Sequence, residues 1–363
     1  VVRFVASEIS GPLSRLINVC LEVGHFPDFM KVARITPVFK ADDPSQFGNY
    51  RPISVLSVFS KIFEQVIQCR VLSFLNKEGH FLVSQYGFRR GHSTDMAILD
   101  MVEHIRKAWE KGESCLGMFI DFKKAFDTVD HSILLAKLEH IGIRGASLEL
   151  FRSYLTGRGQ YVVFNGTESA PEVVLLGVPQ GSILGPLLFL IFINDLSGAS
   201  SFFRYILFAD DTNLFASAKT QRDLYSKVRG ELQKLSSWFA HNRLTLNYSK
   251  TEYIDFSKPK NVSSEIGMVL KIDGNLIRKV DKSKFLGVHI DRDISWRDHI
   301  GKVMVRIRQT MGIIGRARGF MDGAQLLLLY NTMVLPHLQY CLLNWGNFKG
   351  DSDMGLRNRL LSL

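Results

Sequence analysis

Apolar residues along this chain recur with two periods, and the switches between them mark out the elements. Residues 11 to 23 place Leu13, Leu16, Ile17, Cys20 and Leu21 at helical spacing, and RITPVFK follows as an extended segment ending in Lys40. After YRPISVL a second helix is predicted, with Ile62, Val66, Ile67 and Leu72 on one face. CLGMFIDF, residues 115 to 122, is a continuous apolar run that reaches Asp121, the pattern of a strand buried on both faces. Ile133, Leu134, Leu138 and Ile141 predict a helix that Asp130 can cap and Gly142 can end. Next, VVLLGVPQG reads as extended, ILGPLLFLIFI (183 to 193) as a buried helix, and FADDTNLF as a hairpin between two short strands. An amphipathic helix is predicted from Arg222 to His241, then an IDGNLI hairpin, a KFLGVHI strand and mainly helices. Near the C-terminus Ile300, Val303, Met304, Ile307, Met311 and Ile314 share one helical face, while Lys302, Arg306 and Gln309 share another. Strand, helix, strand, hairpin, helix and strand around one sheet predict an α+β fold with a helical C-terminal region.

Composition narrows the class. With 363 residues and 46% hydrophobic content, the chain can bury a large core divided into two or three subdomains. Lys and Arg number 45 against 35 Asp and Glu, and the net charge of +10 favours a polyanionic partner such as nucleic acid or an anionic membrane surface. Cys20, Cys69, Cys115 and Cys341 form no CxxC pair, which argues against a zinc module or a disulfide scaffold and fits a reducing compartment. The longest apolar run is interrupted by Gly185 and Pro186 and falls far short of the ~20 residues that span a bilayer, so it is expected as a buried helix. The chain begins without methionine and closes on RNRLLSL, which reads as an unfinished helix; a piece of a longer protein is expected.

The candidate chemistry lies in FADDTNLF, where Asp210 and Asp211 are adjacent. A tight turn alone accounts for such a pair, because Asp tolerates turn conformations. A divalent cation accounts for it too, by compensating the like charges, and then requires a third oxygen ligand. Asp121, at the end of the buried strand, is placed to supply it if the hairpin lies beside that strand. Three carboxylates at one sheet edge can hold two divalent ions about 4 Å apart, an arrangement suited to in-line phosphoryl transfer. A nuclease uses the same kind of cluster, and composition does not separate the two.

The segments FIDFKKAFDTVDHSILL, GVPQGSILGPLLFLIFINDL and FADDTNLF resemble the successive palm motifs of reverse transcriptases, most closely those of non-long-terminal-repeat (LINE-like) retrotransposons. YRPISVLSVFSKIFEQVI, QYGFRRGHST, LTLNYSKTEYI and KFLGVHI match further motifs in the order of that family, so the resemblance runs from Arg34 to Trp345. It implies a right-hand polymerase: fingers and an N-terminal extension in 1–114, an antiparallel-sheet palm with inserted finger segments in 115–290, and a partial helical thumb in 291–363.

The same resemblance assigns roles residue by residue. Asp121 and Asp210 become the principal metal ligands, with Asp211 as partner carboxylate and the backbone carbonyl of Phe122 as a further ligand. Two Mg²⁺ ions are implied, with Mn²⁺ as an alternative. Phe126 matches the aromatic residue that leaves no room for a ribose 2′-OH, although an ordinary core Phe would look the same. Gln180 and Gly181 match the loop that meets nucleotide and template, and Lys40 and Arg51 the residues that hold the triphosphate. Lys250 matches the proton donor to pyrophosphate, whereas Arg89, Arg90, Lys302 and Arg306 are expected to contact nucleic acid. The implied partners are an RNA template, a DNA primer and dNTPs, with no membrane, in an intracellular setting that in a eukaryote includes nucleus and cytoplasm. An RNA-dependent RNA polymerase and a catalytically inactive nucleic-acid-binding remnant are the alternatives. Phe126 argues against the first and the three carboxylates against the second.

Overall fold

The computed structural model describes residues 4–41, 43–80, 83–258 and 269–346. The chain opens with α1 (Ala6–Val23), β1 (Val32–Phe39), β2 (Tyr50–Val55), α2 (Val58–Lys77), α3 (Thr94–Glu110) and β3 (Ser114–Ile120). There follow α4 (His131–His140), α5 (Ala146–Leu155), β4 (Arg158–Phe164), β5 (Thr167–Glu168), β6 (Glu172–Val174) and α6 (Leu184–Ile193). Next come β7 (Arg204–Phe208), β8 (Asp211–Ala218), α7 (Gln221–His241), β9 (Glu252–Asp255), β10 (Lys271–Ile272) and β11 (Asn275–Leu276). Last are β12 (Arg278–Lys279), β13 (Lys282–Phe285), β14 (Val288–Asp291), α8 (Arg297–Ala317), α9 (Gly323–Met333), α10 (Leu335–Gln339) and α11 (Leu342–Trp345).

Two compact units result. The first comprises 1–83, 122–199 and 235–245, and the second 84–121, 200–234 and 246–363. The first unit holds a sheet of order β2-β1-β4-β5 with β6 also on β4; β1 runs antiparallel to β2 and parallel to β4. Its helices pack as α1 on α5, α4 on α5 and α6, and α2 on α6. At the centre Phe26 stacks on Phe63 (5.1 Å) and meets Tyr154 edge-on (5.0 Å). Helix α6 is apolar all round, and nearly every residue of it is buried, as the run ILGPLLFLIFI requires. Asp130 caps α4 as expected, accepting from the N–H groups of Ser132 and Ile133, and Gly142 follows the helix at φ 99°.

The second unit is built on a sheet of order β12-β9-β3-β8-β7. β3 lies in the middle, antiparallel to β8 and β9, and all seven of its residues are buried, in keeping with its unbroken apolar run. Helix α3 covers the sheet with Ala97, Ile98, Met101, Val102, Ile105 and Ala108, a 3.6-residue period. In the C-terminal part Ile300, Met304 and Ile307 bury one face of α8, whereas α9 buries none of its residues.

Three expectations are corrected. Among the described residues the strands form two five-stranded sheets and two two-stranded ones, β10-β11 and β13-β14; β4 and the β1–β2 hairpin pair with each other and leave β3 to a separate sheet. VVLLGVPQG is extended only through Val174 as a strand and then loops, since Gly177 adopts φ 85°. KFLGVHI is no single strand: Leu286 (φ 44°) and Gly287 (φ 83°) turn it into the β13–β14 hairpin. The terminal RNRLLSL lies outside the described residues.

Candidate active site

The acidic residues of the second unit are placed by main-chain pairing. β8 lies against β3 with Ile120 opposite Thr212, so the next step of the same register sets Asp121 across from Asp211. β7 and β8 pair as far as Phe208 opposite Asp211, which leaves Ala209 and Asp210 as the two-residue loop. Ala209 takes the positive φ (57°) that this tight loop demands and is held there, its N–H donating to Oε1 of Gln85 at 3.2 Å. Gly87 lies so close that a Cβ would meet the Ala209 nitrogen at 2.4 Å. Asp210 and Asp211 are exposed, and Asp121 is half-buried.

Asp121 is clamped by the turn before β9. The amide Nδ2 of Asn247 donates to Asp121 Oδ2 (2.8 Å), and the Asn247 main-chain N–H donates to the Asp121 carbonyl (2.8 Å). The Asp121 N–H donates to Oγ1 of the fully buried Thr251 at 3.3 Å. Asn247 therefore belongs to the site, and sequence reasoning missed it although it lies within LTLNYSKTEYI. Lys250 is exposed in this same turn, its N–H donating to the Asn247 carbonyl.

The first unit holds a separate cluster. The ring of Phe126 is half-buried and stacks on Phe189 of α6, with centroids 4.5 Å apart and planes 28° from parallel. Its carbonyl accepts from Val178 N–H (2.8 Å). Gln180 is fixed at two points: its Nε2 donates to Asp127 Oδ1 (2.8 Å), and its carbonyl accepts from Ser54 N–H (2.7 Å). Burial raises the Asp127 pKa from its ordinary value, against the lowering effects of the Gln180 hydrogen bond and of Lys124. Asp127 is a second residue that sequence reasoning passed over, although it directly follows Phe126. Gly181 has φ 114°, and a Cβ there would lie 2.6 Å from the Ser54 carbonyl oxygen; only glycine fits. Phe122 is buried, with its ring edge-on to Phe239 at 5.4 Å.

The basic residues are distributed over both units. In the β1–β2 hairpin Val38 pairs with Arg51, and Lys40, two residues on, extends the same face; both cations are exposed. Arg89 is half-buried, with Nη1 donating to the Gln85 carbonyl (3.1 Å), whereas Arg90 is exposed. Lys302 and Arg306 are exposed on α8 and line an open depression with Arg297 and Gln309. Lys302 also pairs with Asp298 at 3.2 Å, so its charge is partly compensated.

Among the described residues no three His, Cys, Asp or Glu side chains close into a metal cage. The β3–β8 register ends one residue short of Asp121 and Asp211, and the adjoining turn holds Asp210. The donor set is nonetheless one of hard anionic oxygens, as Mg²⁺ prefers, and it gathers like charge at one sheet end. Donors of this chemistry are the kind that divalent cations take.

The central buried strand of the second unit thus runs into Asp121, and the hairpin carrying Asp210 and Asp211 lies on the strand paired with it. Telomerase from Candida albicans, solved with a fragment of telomeric RNA, shares the fold, with a TM-score of 0.54 at 11% identity over 93% of this chain and 63% of that one. The profile described as reverse transcriptase (RNA-dependent DNA polymerase) matches residues 39–290, and the chain belongs to this family. Among relatives, the probable RNA-directed DNA polymerase from transposon X-element of Drosophila melanogaster is 28% identical over 342 residues, covering 92% of this chain and 37% of that protein. The probable RNA-directed DNA polymerase from transposon BS of the same species is 30% identical over 82% of this chain and 34% of its own length. The RNA-directed DNA polymerase from mobile element jockey of D. melanogaster is 27% identical over 95% and 38%. The chain thus spans well under half the length of these relatives. The motif resemblance to reverse transcriptases of non-long-terminal-repeat elements is borne out.

Proposed function

We propose that this chain copies an RNA template into DNA by adding deoxynucleoside triphosphates to a primer 3′-OH, as part of retrotransposon replication inside the cell. The observation that carries this reading is the β3–β8 register, which ends with Ile120 opposite Thr212, one residue short of Asp121 and Asp211, and has Asp210 in the adjoining turn, on a chain of the reverse transcriptase family. Residues 1–114 would act mainly as fingers, 115–290 as palm and 291–363 as thumb.

Asp121, Asp210 and Asp211, with the Phe122 carbonyl, would hold two Mg²⁺ ions, for which Mn²⁺ can substitute. Such ions supply a lowered pKa at the attacking hydroxyl and charge compensation at the leaving pyrophosphate. Asn247 keeps the Asp121 carboxylate in one orientation by occupying Oδ2. Lys250 gives a proton to the departing pyrophosphate. Lys40 and Arg51 bind the triphosphate as a point charge and a planar fork. Phe126, immobilised on Phe189, fills the volume that a 2′-OH needs, and Gly181 lets the backbone beside Gln180 come close to nucleotide and template. Arg89, Arg90, Lys302 and Arg306 engage template and primer phosphates.

The test is primer extension by the purified chain on matched RNA and DNA templates, with dNTPs or rNTPs, in Mg²⁺, Mn²⁺ or a chelator. RNA-templated dNTP addition that stops with the chelator is expected. Equal use of rNTPs would favour an RNA polymerase, and template binding without extension an inactive remnant. No helix among the described residues is long and apolar enough to cross a membrane.

A further inference from the structure

The loop Gln85–His92 is strained, anchored and armed with an exposed aromatic ring. Phe88 has φ 54°, a conformation that a bulky L residue rarely adopts, and its side chain is 60% exposed. With most of the residue exposed, packing offsets little of that backbone cost, and such strain persists only where the surroundings enforce it. They do so on both sides. Gln85 pairs with Leu207 of β7, and the flanking bonds Leu207 N–H to Ser84 carbonyl and Tyr86 N–H to Leu207 carbonyl are each 2.8 Å. The buried Oε1 of Gln85 accepts from Gly87 N–H (2.8 Å) as well as from Ala209 N–H. Tyr86 donates its hydroxyl to Asp100 (2.9 Å) and meets the His92 ring edge-on at 5.8 Å. Gly87 is in direct contact with the Asp210 turn, and Phe88 is the next residue.

An exposed ring one residue after this turn contact and two before the exposed Arg90 has the chemistry of a stacking platform: a π-face for a nucleobase and a cation for its phosphate. We propose that Phe88 stacks on a base of the template strand beside the catalytic hairpin, and that its strained backbone is retained for this contact. The proposal rests on the polymerase reading for the identity of the strand, and its test is independent of catalysis.

The probe is a template–primer carrying a single 2-aminopurine at successive template positions, bound without nucleotides. Wild type should quench fluorescence at one position near the primer end. Phe88→Gly, which accepts a positive φ, should lose the quench and bind about tenfold more weakly, by the same factor at low and high salt, since stacking releases no counterions. Its melting temperature should equal or exceed that of wild type, because the strain is relieved. Phe88→Trp should keep the quench, whereas Arg90→Ala should lower the salt slope. An identical quench profile and affinity for wild type and Phe88→Gly would overturn the proposal, as would loss of both together with a lowered melting temperature. Primer extension by wild type is scored separately. A Phe88-dependent quench without extension keeps this inference and removes the polymerase reading, and extension without such a quench does the reverse.

Discussion

The two clusters assigned to one reaction are positioned by different physics. In the second unit the carboxylates are set by main-chain pairing of β3, β7 and β8, to which Gln85, Asn213, Asn247 and Thr251 add side-chain bonds. In the first unit the Gln180–Gly181 loop is set largely by side chains from distant segments. Glu64 of α2, fully buried, accepts from the N–H groups of Ile183 (2.7 Å) and Leu184 (3.1 Å), and Gln68 donates to the Ile183 carbonyl. Burial pushes the Glu64 pKa up, while its bonds from Leu184, Ile183 and Ser60 and the nearby Arg158 pull it down. A ladder survives side-chain substitution because backbone groups make it. Changing an acidic residue should therefore alter chemistry without moving the frame, whereas changes around the loop should move the frame itself.

The largest effect tests the ladder. Asp121→Asn or Asp210→Asn should reduce primer extension on the order of a hundredfold or more while template–primer affinity and melting temperature stay near wild type. Near-normal extension by either variant would take the hairpin out of the chemistry. In the first unit, Phe126→Val should raise ribonucleotide use relative to deoxynucleotide by roughly a hundredfold, measured by single-nucleotide extension. An active variant with unmoved sugar preference would make Phe126 only a packing partner of Phe189.

Two glycines sharpen the contrast. Gly87→Ala pushes on the Ala209 nitrogen and Gly181→Ala on the Ser54 carbonyl, so each displaces one cluster. Gly87→Ala should lower kcat roughly tenfold with the dNTP KM little changed, and Gly181→Ala should raise that KM by a similar factor. If both move the same parameter, the division between clusters fails. Away from both, Lys302→Ala combined with Arg306→Ala should reduce the salt slope of template–primer binding by about two at most, less for Lys302 because Asp298 already pairs with it. An unchanged slope would leave α8 a solvated surface.

The smallest effect is a pH dependence. The Asp127 pKa is raised in the folded chain, so the folded state holds this proton more tightly than the unfolded one, and stability falls as pH rises from the unfolded value through the raised value. Asp127→Asn keeps an acceptor for Gln180 and removes the cost of a buried charge. Its melting temperature should exceed that of wild type at neutral pH, and the gain should vanish in acid. A gain that persists below the unfolded pKa would locate the effect in packing.

Much of this was legible along the chain. The sequence by itself determined β3, α4, α6, α7, the FADD hairpin and the acidic residues, because each rests on a period of 2 or 3.6 residues, an unbroken apolar run or a cap within a few positions. Phe126, Gln180 and Gly181 became candidates only through the resemblance to the family's motifs. Asn247 on Asp121, Gln85 on Ala209 and Glu64 on the start of α6 left no such trace: their partners lie 126, 124 and 119 positions away. Nor did the division of the strands among separate sheets or the turn at Leu286–Gly287, since apolar alternation shows that a segment is extended and not what it pairs with. Local sterics and burial are written in neighbouring residues, whereas the hydrogen bonds that aim a side chain exist only once distant segments have met.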